Sequence, residues 1–340
     1  MSERRILYIG NKLGHNPSAT PTTLDTLSRQ LAEEGFAVRS ASGKRNKAVR
    51  LLNMLWAVVR NRSWADVVLI DTYSTQNFFY AVAIGNLCRL FKIPYIPILH
   101  GGDLPNRLER SPSQSYKLFH GARVNVAPSK YLMEHFRKAG YQNLTYIPNT
   151  IDLNDYPYKE RQALKPKLLW VRSFAEIYNP MLALKVLKAL RDKGHDASLC
   201  MVGPDKDGSL VHCKQYAEEQ GLPVSFTGKL TKQEWISLAT DYDIFINTTN
   251  FDNMPVSLLE AMALGLPVVS TNVGGIPYII THKETGWMVS PDDPDAFVEV
   301  ISYLLENPSE GVRVQRQARQ LVDTFDWVQI KAKWISLLTE

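Results

Sequence analysis

Short apolar runs alternate with helical patterns over most of the chain. In the first half of the chain, these runs are residues 6–9, 35–38, 67–70, 95–99, 124–127 and 145–147. Helical patterns separate most of them, and a repeated strand-then-helix order predicts parallel sheets with helices on both faces. The order breaks in the polar, proline-containing segment 154–167 and resumes at Leu168. The pattern therefore predicts two doubly wound α/β domains, residues 1–155 and 156–326, with a cleft at the carboxyl ends of their strands.

The composition narrows the class of protein. A chain of 340 residues suits two α/β domains, and 45% hydrophobic with 21% charged residues is typical of a globular enzyme. The chain has three cysteines, Cys88, Cys200 and Cys213, and no two of them form a CxxC motif. This indicates reduced thiols of a cytoplasmic chain rather than a disulfide framework or a zinc site. We find neither an uncharged apolar run of membrane-spanning length nor a signal-peptide pattern at the start of the sequence.

Charge is distributed unevenly. Residues 1–160 carry 21 Lys and Arg against 12 Asp and Glu, whereas residues 161–340 carry 18 against 22. In the first half, the stretch 44–64 has six basic residues and no acidic one around an apolar stripe that includes Trp56. A basic amphipathic helix of this kind is typical of a peripheral protein at an anionic membrane, and the alternative is a crossover helix with solvated charges. No motif indicates nucleic-acid binding.

The segment 247–280 contains the most informative pattern. A polar loop precedes a helix predicted to begin at Pro255 and to end in a left-handed cap at Gly265. Unpaired N–H groups and the helix dipole favour an anion at such a start. Glu260 lies five residues into this helix, where its carboxylate can accept two hydroxyl hydrogen bonds, as from a ribose diol. Asp252 lies on the loop before the helix.

These residues resemble a known family. Asp252-x7-Glu260, followed by Ala261-Met262-Ala263-x-Gly265-x-Pro267-Val268-Val269 and Val273-Gly274-Gly275-Ile276-Pro277, resembles the E-x7-E region of family 4 glycosyltransferases. Asn149-x-Ile151-Asp152 and Phe325-x-Trp327 extend the resemblance over most of the chain. It implies the GT-B fold, with two Rossmann-like domains that face each other across a cleft. It also implies a C-terminal helix, residues 327–340, that crosses back to the N-terminal domain.

The resemblance also implies roles in the second domain. The candidate donor-binding residues are Gly14, Arg172, Lys229, Asp252, Met254, Val256 and Glu260. Glu260 would hold the donor ribose, and Asp252, where the family usually has Glu, would lie near the hydroxyls of the transferred sugar. Arg172 would bind the diphosphate. The companion lysine of the family is absent, so we expect Tyr178 or Asn179 to make a neutral contact, or Lys229 to supply the second charge.

In the first domain, His100 follows a predicted strand and is a third catalytic candidate beside Asp252 and Arg172. Gly101 and Gly102 would let a ligand approach the backbone, and Asp103 could orient His100 or an acceptor hydroxyl. The loop that contains Gly10, Asn11 and Gly14 matches the family's first glycine-rich loop, which faces the diphosphate or the acceptor.

The resulting hypothesis is a cytoplasmic or peripheral enzyme. It would transfer a sugar, with retained configuration, from a nucleoside-diphosphate sugar, by default a UDP-sugar, to a hydroxyl acceptor such as a lipid-linked glycan. The expected setting is bacterial-type cell-surface glycan synthesis. The nucleotide-sugar is a co-substrate, and no cofactor or metal is expected. The alternatives are a nucleotide-sugar epimerase and a non-catalytic nucleotide-sugar-binding partner protein.

Overall fold

The computed structural model describes residues 4–10, 22–41, 43 and 46–340. The chain forms two compact units. The first consists of Met1–Asn149 with Ile330–Glu340, and the second of Thr150–Gln329. The break at Asn149 lies a few residues before the polar segment in which the sequence places the linker.

Over its described residues, the first unit contains a six-stranded parallel sheet in the order β2-β1-β3-β4-β5-β6. Its elements are β1 Arg5–Ile9, α1 Thr23–Glu33, β2 Ala37–Ala41, α2 Lys47–Arg60, β3 Val67–Thr72, α3 Asn77–Leu90, β4 Tyr95–Leu99, α4 Leu104–Arg110, α5 Pro112–His120, β5 Asn125–Ala127, α6 Lys130–Lys138 and β6 Leu144–Tyr146.

The second unit contains a six-stranded parallel sheet in the order β12-β11-β10-β7-β8-β9. From here to the C-terminus, the elements are β7 Lys167–Val171, α7 Pro180–Asp192, β8 Ser198–Val202, α8 Ser209–Glu219, β9 Val224–Gly228, α9 Lys232–Leu238, β10 Ile244–Asn247, α10 Val256–Ala263, β11 Val268–Thr271, β12 Trp287–Val289, α11 Pro294–Glu306, α12 Pro308–Asp323 and α13 Trp327–Thr339. The two sheets confirm the predicted doubly wound α/β class. The pattern of apolar runs in the sequence does not indicate β12.

Burial along the strands explains why their patterns read as continuous apolar runs. In β7, Leu168 and Trp170 pack into one core of the second unit, whereas Leu169 between them packs into the core on the other face. A parallel strand covered on both faces needs apolar residues at consecutive positions. The indole N–H of Trp170 donates to the Thr248 hydroxyl at 3.0 Å, so its buried polar atom is satisfied.

In each sheet, the order of the strands changes direction at one point. In the first sheet β1 lies beside β3, and in the second β7 lies beside β10. Doubly wound sheets bind ligands at the carboxyl ends of the strands at such a switch point. Gly10 follows β1 and Asp71 lies near the end of β3, while Arg172 follows β7 and Asp252 lies on the loop after β10.

All three cysteines are buried and unpaired. This agrees with the predicted reduced thiols. Burial raises the pKa of the Cys88 and Cys213 thiols to about 12, so both are poor nucleophiles at neutral pH. Among the helices of the described ranges, none is both long and apolar enough to span a lipid bilayer.

Candidate active site

Pro255 and Gly265 mark the two ends of α10, as the sequence predicts, but the helix begins one residue later than predicted. Pro255 has φ −68° and ψ 113°, an extended conformation, so it occupies the N-cap and the helix begins one residue later, at Val256. Gly265 has φ +75°, which confirms the predicted left-handed cap. A Cβ at Gly265 would also lie 2.4 Å from the carbonyl oxygen of Lys159. The helix geometry leaves the N–H groups of Val256 and Ser257 without intrahelical partners.

Two glycines from the segment after β11 hold the loop that carries Asp252. The N–H of Gly275 donates to the carbonyl oxygen of Asp252 at 2.7 Å. A Cβ at Gly275 would lie 1.8 Å from the carbonyl oxygen of Asn253. Gly274 has φ +55°, and a Cβ there would lie 2.3 Å from the carbonyl oxygen of Asp252. The Gly-Gly pair therefore allows close backbone packing that positions the Asp252 side chain.

Arg172 and Asp252 come together directly. The guanidinium of Arg172 contacts the Asp252 carboxylate, and the two side chains are 20% and 11% exposed. The ring of Tyr178 lies 4.5 Å from the guanidinium carbon, which places Tyr178 beside Arg172, and its expected neutral contact with the diphosphate stays a prediction. Asn179 instead donates to the Asp292 carboxylate at 2.6 Å. Burial lowers the pKa of Arg172, and the nearby Tyr178 and Glu260 oppose this shift.

Glu260 is a nearly buried carboxylate with two partners from other segments. Its side chain is 12% exposed, the Tyr156 hydroxyl donates to Oε1, and Lys232 Nζ lies 3.7 Å from the same oxygen. Among the described residues, Oε2 receives no hydrogen bond. Burial raises the pKa of Glu260, whereas Tyr156, Lys232 and Arg172 act to lower it. Glu260 thus retains an acceptor oxygen for a hydroxyl ligand.

The lysine that reaches this site is Lys232. Lys229, which the sequence offers beside Tyr178 and Asn179 as a substitute for the missing lysine, is exposed and follows β9. Lys232 is the first residue of α9, and its ammonium lies 4.8 Å from the Tyr156 ring centroid. The signal was present in the sequence: Thr231 and Glu234 form a capping box that marks a helix start at this edge of the sheet. No comparable signal pointed to Tyr156.

The two remaining donor candidates of the second unit lie at the start of α10. The side chain of Met254 is buried in the core, and that of Val256 is 42% exposed. Their proposed contribution is through backbone N–H groups, which side-chain burial does not affect.

In the first unit, His100 belongs to a buried polar cluster. Its Nε2 lies 2.9 Å from Oδ1 of Asp71, and the Tyr8 hydroxyl donates to the same oxygen at 2.7 Å. Tyr73 stacks on the imidazole with 5.5 Å between ring centroids. Asp71, rather than Asp103, orients His100. The Asp103 carboxylate instead pairs with Arg110 at 2.7 Å.

Gly10 and Gly101, two candidate glycines of the first unit, pack closely against other segments of the chain. A Cβ at Gly10 would lie 2.1 Å from Oδ2 of Asp71, and one at Gly101 would lie 2.4 Å from the backbone nitrogen of Ser74. Close packing therefore accounts for glycine at both positions, and the approach of a ligand to the backbone at Gly101 stays a prediction. Gly102 is half-buried. Asn11 and Gly14 lie outside the described residues.

The basic stretch 44–64 forms α2 and the turn after it, and Lys44 and Arg45 lie outside the described residues. The predicted single apolar stripe divides into two faces. One face is buried and consists of Met54, Ala57 and Val58. The other is exposed: Val49 is 48%, Leu52 66% and Trp56 55% exposed. The guanidinium of Arg60 lies 4.9 Å from the Trp56 ring centroid.

Two protein-family models match adjacent parts of the chain. The model described as Glycosyltransferase Family 4 matches residues 20–155, and the model described as Glycosyl transferases group 1 matches residues 158–321. The amylovoran biosynthesis glycosyltransferase AmsK of Erwinia amylovora is 25% identical over 285 residues, which cover 76% of this chain and 66% of AmsK. The sulfoquinovosyl transferase SQD2 of Arabidopsis thaliana is 31% identical over 150 residues, 43% of this chain and 28% of SQD2. The chain thus spans less than two thirds of the length of these relatives.

A solved structure shares the architecture. The crystal structure of Anabaena Alr3699/HepE in complex with UDP and glucose matches with a TM-score of 0.77 at 16% identity, over 99% of this chain and 100% of that one. Similarity at this level of identity establishes the fold alone, and it confirms the predicted GT-B fold class.

Proposed function

The chain belongs to glycosyltransferase family 4, and from this premise we propose that it transfers a sugar from a nucleoside-diphosphate sugar to a hydroxyl acceptor with retention of configuration. The observation that carries the proposal is the grouping of Arg172, Glu260 and the start of α10 at the switch point of the second sheet. This edge combines a cation and free N–H groups for a diphosphate with a carboxylate for a ribose. We expect the nucleotide of the donor to be UDP.

In this proposal the leaving group is stabilised by the protein's own positive groups. Arg172 contacts Asp252, and its buried Nε has no hydrogen-bond partner among the described residues. A diphosphate would take up the remaining donors of the guanidinium, together with the N–H groups at the start of α10. Such preorganised donors stabilise the charge that develops as the sugar departs. We expect this arrangement to operate without a metal ion.

The other site residues would position the two substrates. Asp252 would accept hydrogen bonds from the transferred sugar, and Glu260 from the donor ribose. The acceptor hydroxyl would attack on the face from which the diphosphate leaves, and its proton would pass to a diphosphate oxygen. The first unit would bind the acceptor near His100. The similarity to AmsK, named for amylovoran biosynthesis, supports a role in cell-surface glycan synthesis.

A sugar-nucleotide screen tests the proposal. We expect one of the UDP-, GDP- or ADP-sugars to raise the unfolding temperature, because a ligand at about 100 times its Kd adds about 2.7 kcal/mol of stability. The same donor should yield free nucleoside diphosphate and a glycosylated product when an acceptor is added. Conversion of the sugar without an acceptor would identify an epimerase, and binding without any turnover would identify a non-catalytic partner. Absence of binding by all donors would refute the proposal.

We further propose that α2 docks the protein on an anionic membrane surface. Val49, Leu52 and Trp56 are spaced to form one exposed apolar stripe along the helix. Arg60 and Arg62 follow at its C-terminal end. An exposed apolar stripe with adjacent basic residues fits the plane of an acidic lipid surface. This position would bring a lipid-linked acceptor to the first unit.

Liposome sedimentation tests this docking. We expect Arg60→Glu/Arg62→Glu to weaken binding to liposomes rich in phosphatidylserine at least about thirtyfold, since each basic residue near the surface contributes about 1 kcal/mol. High salt should have a similar effect on the unchanged protein. Lys185→Glu/Lys214→Glu, which makes the same charge change at exposed positions of the second unit, is the matched control. Equal binding by the two double variants would rule out α2 as the docking surface.

A further inference from the structure

Lys232 places an ammonium group beside the carboxylate of Glu260 in the second unit. It is the first residue of α9, and its side chain is 32% exposed, whereas that of Glu260 is 12% exposed. The capping box between Thr231 and Glu234 fixes where α9 begins. The start of the helix therefore holds the backbone of Lys232, and the side chain extends from the surface to a nearly buried acid.

The contact between these two charges is close, but it is not a direct hydrogen bond. Lys232 Nζ lies 3.7 Å from Oε1 of Glu260, beyond the usual range of about 2.7–3.2 Å for an N–H···O hydrogen bond. The Tyr156 hydroxyl donates to the same oxygen, and the centroid of the Tyr156 ring lies 4.8 Å from Nζ. An ammonium has three N–H donors, and a cation–π contact with one ring does not occupy them all. Lys232 thus keeps donors for a ligand.

A hydroxyl group matches the chemistry of the two charged groups. A hydroxyl both donates and accepts hydrogen bonds, whereas an ionised carboxylate only accepts and an ammonium only donates. Because Nζ and Oε1 are 3.7 Å apart, one hydroxyl oxygen can lie within about 2.8 Å of both atoms. This hydroxyl would donate to Glu260 and accept from Lys232. Glu260 alone would leave the hydroxyl oxygen without a donor.

The other oxygen of Glu260 extends this match to a diol. Among the described residues, Oε2 receives no hydrogen bond, so a neighbouring hydroxyl can donate to it. Two adjacent hydroxyls on one carboxylate, with an ammonium at one of them, correspond to the 2′- and 3′-hydroxyls of a ribose. A deoxyribose would leave one of these charged groups without its hydrogen bond, which disfavours its binding.

We infer that Lys232 binds the ribose of the donor together with Glu260, and that this pair selects a ribonucleotide over a deoxyribonucleotide. The inference rests on the proposed function, in which Glu260 binds the ribose and Lys232 has no part. Lys232 donates to the oxygen of one ribose hydroxyl, and that hydroxyl donates to Glu260. The diphosphate stays with Arg172 and the start of α10.

Deoxy analogues of the nucleotide test the inference. Calorimetric titration compares UDP with 2′-deoxy-UDP and 3′-deoxy-UDP, in the unchanged protein and in Lys232→Met. The unchanged protein should bind UDP about tenfold or more tightly than either analogue, since each analogue leaves a charged group of the site unmatched. In Lys232→Met, UDP should bind about tenfold more weakly, and the preference over one of the two analogues should shrink by about the same factor. If the sugar-nucleotide screen selects another base, the three nucleotides of that base are compared.

Three other variants separate a direct contact from an effect that passes through Glu260. Lys232→Arg keeps a charged donor and should retain most of the preference for UDP. Lys214→Met removes an exposed charge from α8 and should bind all three nucleotides as the unchanged protein does. Glu260→Gln keeps an acceptor oxygen but removes the charge that Lys232 neutralises. In the Glu260→Gln background, Lys232→Met should still reduce the preference, because the donor that is lost belongs to Lys232 itself.

The possible results distinguish this inference from the proposed function. Equal weakening of all three nucleotides in Lys232→Met would show a general charge effect on the diphosphate and would overturn the inference. An effect on the preference that vanishes in the Glu260→Gln background would overturn it too, since Lys232 would then act only through Glu260. Both results include UDP binding and would leave the proposed function intact. A protein that binds no nucleoside diphosphate would refute the proposed function, and the inference with it.

Discussion

Glu260→Ala should lower kcat/KM for the sugar-nucleotide donor by about a hundredfold or more, because two hydrogen bonds to a charged acceptor contribute about 1.5–3 kcal/mol each. The loss should appear mainly as weaker donor binding, since the ribose is bound in the ground state as well as in the transition state. Removal of the carboxylate also leaves the hydroxyl of Tyr156 without its acceptor. Calorimetric titration of the nucleoside diphosphate, combined with steady-state kinetics, measures both quantities.

Two further variants test whether this result is specific to Glu260. Glu299→Ala removes an exposed carboxylate from α11 of the same unit and should leave donor affinity unchanged. Tyr156→Phe removes the hydrogen bond that lowers the pKa of Glu260, so that pKa should rise further above its usual range. Donor binding needs the ionised carboxylate. As the solution is made more acidic, donor affinity should therefore begin to fall at a higher pH in Tyr156→Phe than in the unchanged protein. Unaltered donor affinity in Glu260→Ala would exclude the ribose role.

The sequence predicted most strands and the boundaries of α10 because these depend on local patterns. Buried parallel strands are continuous apolar runs, and Pro255 and Gly265 mark helix ends through their own backbone restrictions. The strand β12 was missed because it has three residues, Trp287–Val289, too few to form a distinct run. Its place in the sheet comes from pairing with β11, which is a tertiary contact.

The partners of the site residues were less predictable, because they come from distant parts of the chain. Tyr156 reaches Glu260 across 104 positions of sequence. The contact of Lys232 with Glu260 depends on where α9 begins, and the pairing of Asp71 with His100 depends on the order of the strands. Gly101 also packs closely against the backbone of Ser74, a contact that comes from the fold and that residue type alone does not indicate. Residue type indicates the chemistry available, and topology decides which groups meet.

The second large effect is expected at Arg172. Arg172→Met should lower kcat by roughly a hundredfold to a thousandfold, because the donors that face a developing oxyanion contribute this much in other enzymes. The same change leaves the Asp252 carboxylate, 11% exposed, without its counter-charge. We therefore also expect a loss of about 3 kcal/mol in the free energy of unfolding, as is typical when one partner of a buried pair is removed.

The double variant Arg172→Met/Asp252→Asn separates the catalytic effect from the structural one. Neutralising Asp252 removes the unpaired charge, so the double variant should recover most of the unfolding free energy lost by Arg172→Met. It should not recover transfer, because the diphosphate still lacks the guanidinium. Denaturant unfolding and single-turnover kinetics on the same samples measure the two effects. Transfer that returns together with stability would show that Arg172 serves only to hold the Asp252 loop, and the proposed stabilisation of the leaving group would then be wrong.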